Sequence, residues 1–320
     1  MKSNYRYIVK AFMAMAVIAG TTSCDDFLDR EPMSSISPET YYSTAAQLEA
    51  NLNDEYPNVL PSFGQWTYGI FGEDKGTDNQ IEVNANDRYT QDRWKVPHSE
   101  SDNWKFERIY RINFFLSEAL PKFGEDMSGS QNTISGSVAT IKHYIGEMYF
   151  LRAYEYFKKL QLFGDFPIIN QPLADEMEAL REASKRFPRN EVARFIISDL
   201  DKAYAYMSDV DMATTRINKD VAMLVKSRVA LFEATWLQNF KGTAFVPGGE
   251  GWPGVSLHNN YQYPSGNIDN EVKYFLEQAV EASKLVADKY KGSLTENTGV
   301  LQQSADDPSN PYFDMFAQAD

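Results

Sequence analysis

Between Asp102 and Tyr290 apolar residues return every three or four positions in run after run, and nowhere do they alternate with polar ones over a useful length. That period selects helix over strand. Trp104, Ile109, Ile112, Leu116 and Leu120 mark one run, and Val138, Ile141, Ile145, Met148, Leu151, Phe157 and Leu160 mark a longer one. Gly164-Asp165-Phe166-Pro167 stops the second. Three more open at Asn190-Glu191, Asn218 and Asp269, residue types that cap helix starts. Upstream, Ser37-Pro38-Glu39 reads as a further helix start, with Tyr41, Ala45, Leu48, Leu52 and Tyr56 on its face and Pro57 and Pro61 as its stop. The expected body is all-α: antiparallel helix pairs stacked as a tetratricopeptide-like array, with long irregular loops and no strict repeat length.

Two stretches break the period. Residues 57–101 are polar and interrupted by Gly64, Gly69, Gly72 and Gly76, with Trp66, Tyr68, Phe71, Tyr89 and Trp94 among Asp, Asn and Gln. Connections of that length inside a compact domain tend to be functional. Residues 241–268 form the second, carrying Phe245, Trp252, His258, Tyr261 and Tyr263.

The N-terminus has a different logic. Lys2, Arg6 and Lys10 precede the apolar run Ala11 to Gly20, and Thr21-Thr22-Ser23-Cys24 follows. A basic start, a short apolar core and a small-residue cleavage zone make a secretory signal. The apolar run is far shorter than the roughly 20 residues a membrane-spanning helix needs. Cys24 is the only cysteine of the 320 residues. An exported lone thiol has no disulfide partner, whereas diacylglycerol attachment gives it a use. Thr21 stands where such lipoprotein signals usually carry Leu. The expected organisation is a signal peptide over 1–23, an acylated tether over 24–36 and a binding domain over 37–320.

Charge and motifs narrow the chemistry. The formal net charge is −14, and loss of the three basic residues of the leader makes it about −17. A polyanionic partner such as nucleic acid needs clustered Lys and Arg instead. Gly249-Glu250-Gly251-Trp252-Pro253-Gly254 matches a dinucleotide-binding pattern by letter, but it follows a helix rather than a strand, and Pro253 disrupts the helix start the pattern requires. His98, His143 and His258 have no second histidine at metal-ligand spacing, and His143 reads as a structural helix residue. Asp74, Asp78 and Glu82 recur at a spacing of four, which is not that of an EF-hand, so no metal site is assigned. A glycosidase-type carboxylate pair stays open among 45 acidic residues.

Several stretches, in order, resemble the SusD/RagB family of outer-membrane nutrient-binding lipoproteins. Ser23-Cys24-Asp25-Asp26-Phe27-Leu28-Asp29-Arg30-Glu31-Pro32 is similar to the family's lipidated start, with acidic residues after the cysteine as its surface-export cue. Tyr149-Phe150-Leu151-Arg152-Ala153-Tyr154-Glu155-Tyr156-Phe157, closed by Gly164-Asp165-Phe166-Pro167, resembles its Arg-Ala-aromatic helix and Gly-Asp-x-Pro stop. Ile196 to Leu200 and Ala222 to Ala234 fit the helices that follow, and Trp104, Tyr110 and Asn113 the one before.

The resemblance implies a non-catalytic protein without cofactors. It would sit lipid-anchored on the outer membrane, facing outward, and capture glycans or peptides for a SusC-like TonB-dependent transporter. It also implies a fragment, since the family continues beyond Pro311 to Phe316 with a less regular C-terminal half. It supplies no ligand motif, so the binding site is a physical expectation. Trp66, Tyr89 and Trp94 offer rings to sugar faces, and Asp78, Asn79 and Arg88 offer hydrogen bonds to hydroxyls. Trp252 and Tyr261 are secondary candidates. An all-α glycoside hydrolase and a protein-binding helical scaffold are the competing readings.

Overall fold

The computed structural model describes residues 41–61, 103–124, 126–208, 212–213 and 215–294. Among the described residues there are seven α-helices and no strand: α1 (Ala45–Val59), α2 (Glu107–Phe123), α3 (Val138–Phe163), α4 (Met177–Ala183), α5 (Arg189–Tyr206), α6 (Lys219–Asn239) and α7 (Ile268–Tyr290). The all-α expectation is therefore correct for this part of the chain.

Local chemistry sets the helix ends. Asn218 caps α6 as expected, its side chain accepting from the Val221 N–H at 3.0 Å. Gly164 ends α3 with φ +69°, a conformation that favours glycine, and its N–H returns to the Leu160 carbonyl at 2.9 Å. Other starts differ from the sequence reading. The helix carrying Leu48 and Leu52 begins at Ala45, where Thr44 and Gln47 form a reciprocal capping box. Ser37 lies outside the described residues, and Pro57 is carried inside the last turn of α1. Pro188 precedes α5, which leaves Asn190 within the helix. Asn267 caps α7, two residues before Asp269. The short α4 buries no residue, so it had no apolar period to betray it.

The helices run alternately up and down, and side-chain ion pairs fix the register. Asp165, just past the end of α3, accepts from the first N–H of α5 (Arg189) at 2.9 Å. At the other end of the same pair, His143 near the start of α3 accepts from the Ser208 N–H beyond α5 at 3.2 Å. Arg189 at the start of α5 binds Glu233 near the end of α6 at 2.9 Å, while Lys226 reaches back to Asp201 at 2.6 Å. Asp220 at the start of α6 takes Lys289 from the end of α7 at 2.6 Å, and Lys241 beyond α6 meets Asp269 at the start of α7 at 2.6 Å. Each of these pairs is antiparallel, as the helix-pair reading requires. The α1–α2 pair is clasped by Arg111, which bonds Asp54 and reaches Glu55 at 2.6 Å.

The core runs along the array: Leu48 and Leu52 of α1, Ile112 and Phe115 of α2, Ile145, Met148 and Tyr156 of α3, Ile196 and Leu200 of α5, Ala230 and Ala234 of α6, and Phe275 of α7. Gly146 lets α3 and α5 touch backbone to backbone. A Cβ there would lie 2.8 Å from the Met207 nitrogen and 2.9 Å from the Ala203 oxygen.

Arg152 is the central polar contact. Its Nε and Nη2 donate to the two oxygens of Asp199 at 2.6 and 2.8 Å, and its Nη1 donates to Asn113 Oδ1 at 2.9 Å and the Asn170 carbonyl at 3.1 Å. Asp199 is fully buried. Removing one partner of such a pair leaves a buried charge alone, a loss of about 3–5 kcal/mol. Arg152→Ala should lower the stability measured by urea denaturation by that amount, and Leu162→Ala on the exposed side of the same helix by under about 1 kcal/mol. Equal losses would show that Arg152 has no special role.

Candidate functional site

Cys24, Trp66, Asp78, Asn79, Arg88, Tyr89 and Trp94 lie outside the described residues, as do Asp74, Glu82 and His98. The structure does place both ends of the excursion that carries the aromatic candidates. Lys158 Nζ donates to the carbonyl of Val59, at the end of α1, at 2.8 Å. Lys159 Nζ donates to the carbonyl of Asn103, before α2, at 2.7 Å. Two successive residues of α3 thus hold the points where the chain departs and returns. Beneath them Glu155 is buried and takes Lys158 at 2.6 Å and Lys159 at 3.4 Å. Glu55 is buried close by, and its desolvation raises the carboxyl pKa against the opposing field of Arg111. Charged side chains thus hold both points, legible in the sequence only as the pair Lys158-Lys159 in α3.

A depression of about 870 Å³ lies at the C-terminal end of α3. Leu162, Trp236, Phe245, Trp252 and Leu257 line it with Arg186. Three of its polar side chains are already engaged, those of Asp165, Arg189 and Trp236. Asp165 accepts from Trp252 Nε1 at 2.8 Å as well as from the Arg189 N–H. Burial pushes the Asp165 carboxyl up, and those two hydrogen bonds only partly offset it. Trp236 Nε1 donates to the Phe245 carbonyl at 3.0 Å, and the Arg189 guanidinium covers its ring at 4.0 Å. Asp165 does more than end a helix: it joins α3, α5 and the second irregular stretch.

The secondary candidates are corrected by this geometry. Trp252 is 4% exposed, and its ring is packed over Gly254. Tyr261 exchanges hydrogen bonds with the Asn190 amide at 2.9 and 3.1 Å. Both pin the loop to the body rather than offering a ring to a ligand. The glycines of the Gly249 to Gly254 segment serve close approach as well: a Cβ on Gly249 would lie 1.9 Å from the Thr243 carbonyl oxygen. The short turn that follows, Pro253–Ser256, has no helix start for a pyrophosphate. His143 is structural as expected, its Nε2 lying 3.1 Å from the Ile217 carbonyl and 3.0 Å from Glu147.

Glu271 completes the clasp on this loop. It accepts from Arg194 at 2.7 and 2.9 Å, from Asn190 at 3.0 Å and from the Ser265 N–H at 3.2 Å. Burial alone would raise its pKa, but these donors outweigh it and hold the carboxyl below the usual range. An acid depressed in the folded state stabilises it above the unfolded pKa of about 4.3, and that stabilisation is lost as pH falls through the folded value. Glu271→Gln should therefore flatten the fall of the urea midpoint below pH 4.3 while lowering the midpoint at neutral pH. An unchanged acid limb would remove Glu271 from the account.

Fold and site together define an all-α protein of antiparallel helix pairs with a long excursion rooted on one helix. Residues 26–231 match the SusD-like family described as starch-binding and associating with the outer membrane, and the chain belongs to that family. Two SusD-like proteins from Formosa agariphila are similar to it. One is 24% identical over 80% of this chain and 49% of its own length, the other 25% over 67% and 41%. Among solved structures, a SusD-like protein from Bacteroides fragilis has a TM-score of 0.45 at 21% identity, covering 66% of this chain and 39% of that one. A SusD-like carbohydrate-binding protein from Bacteroides vulgatus has a TM-score of 0.42 at 14% identity, covering 82% and 47%. The chain spans about half the length, or less, of the relatives it matches.

Proposed function

We propose that this protein captures glycans at the outer surface of the outer membrane and passes them to a SusC-like TonB-dependent transporter. The observation that carries the reading is the family match over residues 26–231, and Lys158 and Lys159 hold the chain at Val59 and Asn103, on either side of the stretch that bears the candidate residues. In this reading Trp66, Tyr89 and Trp94 stack on sugar faces. Asp78, Asn79 and Arg88 bond the hydroxyls. Family membership supports the same class of ligand.

Binding without hydrolysis is the proposed mode, and the most buried carboxylates of the described residues serve the fold. A glycosidase needs two cleft-facing carboxyl groups about 5–10 Å apart. Glu147, Asp199, Glu233 and Glu271 are each engaged by an arginine at 2.6 to 2.9 Å. These pairs tie helices together.

Attachment falls to Cys24. Each buried acyl methylene contributes about 0.8 kcal/mol, so two or three chains anchor a protein durably. Cys24→Ser should move the protein from the membrane to the soluble fraction, and unchanged membrane retention would overturn the anchor. For the site, Trp66→Ala with Trp94→Ala should weaken the best ligand of a glycan panel by at least tenfold in isothermal titration, about 1.4 kcal/mol. The helical circular dichroism should not change. Undiminished binding would place the site elsewhere.

A further inference from the structure

His143 is buried, and both of its ring nitrogens are engaged. A backbone N–H can only donate, so the Ser208 N–H at 3.2 Å requires a bare Nδ1. A carbonyl can only accept, so the Ile217 oxygen at 3.1 Å places the ring proton on Nε2. One neutral tautomer therefore joins two pieces of chain to α3: the residue just beyond α5 and the residue before the Asn218 cap of α6. Met207, next to Ser208, is the residue whose backbone packs against Gly146, so the joint sits where α3 and α5 come closest.

The ionisable groups around the ring come from three elements. Glu147 of α3 lies 3.0 Å from Nε2, but both its oxygens are held by Arg216, at 2.8 and 2.6 Å. Arg216 precedes α6 and also donates to Asn53 of α1 at 3.0 Å, with Glu49 at 3.5 Å. The Tyr56 hydroxyl of α1 accepts from the Ile217 N–H at 3.1 Å, and burial raises its phenol pKa, so it stays neutral. The end of α5 brings the Ser208 N–H, which carries no charge.

We propose that His143 is a proton-operated latch, in which a proton taken up at Nδ1 releases the chain beyond α5 from α3. A proton from water occupies the Nδ1 lone pair, and the Ser208 N–H then faces a second donor. Nε2 donates in both forms, so the ring keeps Ile217 and Glu147 while it loses Ser208. The Glu147 charge favours the charged ring, but Arg216 already neutralises it at shorter range. The neutral ring makes the Ser208 bond and the charged ring cannot, so acid and the closed latch compete for one lone pair. The latch is closed at neutral pH and opens as pH falls through the range in which histidine charges, about pH 8 to 5.

The test follows backbone amide hydrogen exchange in the full chain, as protection factors corrected for the intrinsic effect of pH. Across that range the Ser208 amide should lose about tenfold in protection, about 1.4 kcal/mol, the size of one hydrogen bond. The Gly164 amide, bonded to the Leu160 carbonyl at the far end of α3, should change by less than about threefold. A constant protection factor at Ser208 overturns the proposal. So does a parallel fall at both amides, which reports loss of the whole fold rather than a latch. His143→Asn leaves an acceptor near the place of Nδ1 and takes up no proton. In that variant the pH dependence at Ser208 should disappear, and its persistence overturns the proposal by assigning the effect to another group. Should the variant not fold, NMR of the unsubstituted protein decides: the His143 ring and the Ser208 amide must shift together with pH, and separate transitions overturn the latch.

Discussion

The Arg152 guanidinium lies where α2, α3, α5 and the segment after α3 meet, and none of the four can shift without breaking a hydrogen bond to it. Asp199 fixes α5 against α3, Asn113 fixes α2, and the Asn170 carbonyl fixes the chain that leaves Pro167. The same neighbourhood is tied a second time through Ile169, whose carbonyl accepts from Asn113 and from the Tyr156 hydroxyl. A planar fork with several donors can hold that many directions at once, which a lysine cannot. The other interior arginines repeat the device at single joints: Arg189 between α5 and α6, Arg194 between α5 and α7, Arg216 onto α3.

This division between buried clasps and loops explains what could be read in the chain beforehand. The long helices were legible because their apolar faces repeat over many turns. Asn218 was legible because its cap is local. The capping box of Thr44 and Gln47 is a weaker letter signal than Ser37-Pro38-Glu39, and the packing of Leu48 and Leu52 accompanies the start at Ala45. The arginine clasps could not be read, because Arg152 and Asp199 are 47 residues apart and nothing local marks either as a partner. The family resemblance reached Arg152 and Asp165 as structural residues. It did not reach the role of Asp165 in gripping Trp252, which corrected the second loop from ligand platform to strut.

The candidate site divides along the same line. Rigid elements place functional groups more precisely than loops do. Here Lys158 and Lys159 hold the chain at Val59 and Asn103, and the proposed ring-bearing residues fall in sequence between those two points. Under the proposed site, ligand preference would change by substitution between residues 62 and 102 without disturbing the α3 core, where Gly146 and Arg152 tolerate little.

Where the arginines sit also decides what the outside of the molecule can attract. Arg152, Arg189 and Arg216 carry their charge inward, onto buried carboxylates, and contribute little to the outer field. The remaining surface keeps the acidic balance of a chain with formal net charge −14. A field of that sign disfavours polyanions at long range and is screened within about 8 Å at physiological salt. An uncharged sugar feels none of it. For such a ligand the available attraction is short-ranged, aromatic stacking and hydrogen bonds to hydroxyls, and those are the chemistries that the polar, tryptophan-bearing excursion concentrates.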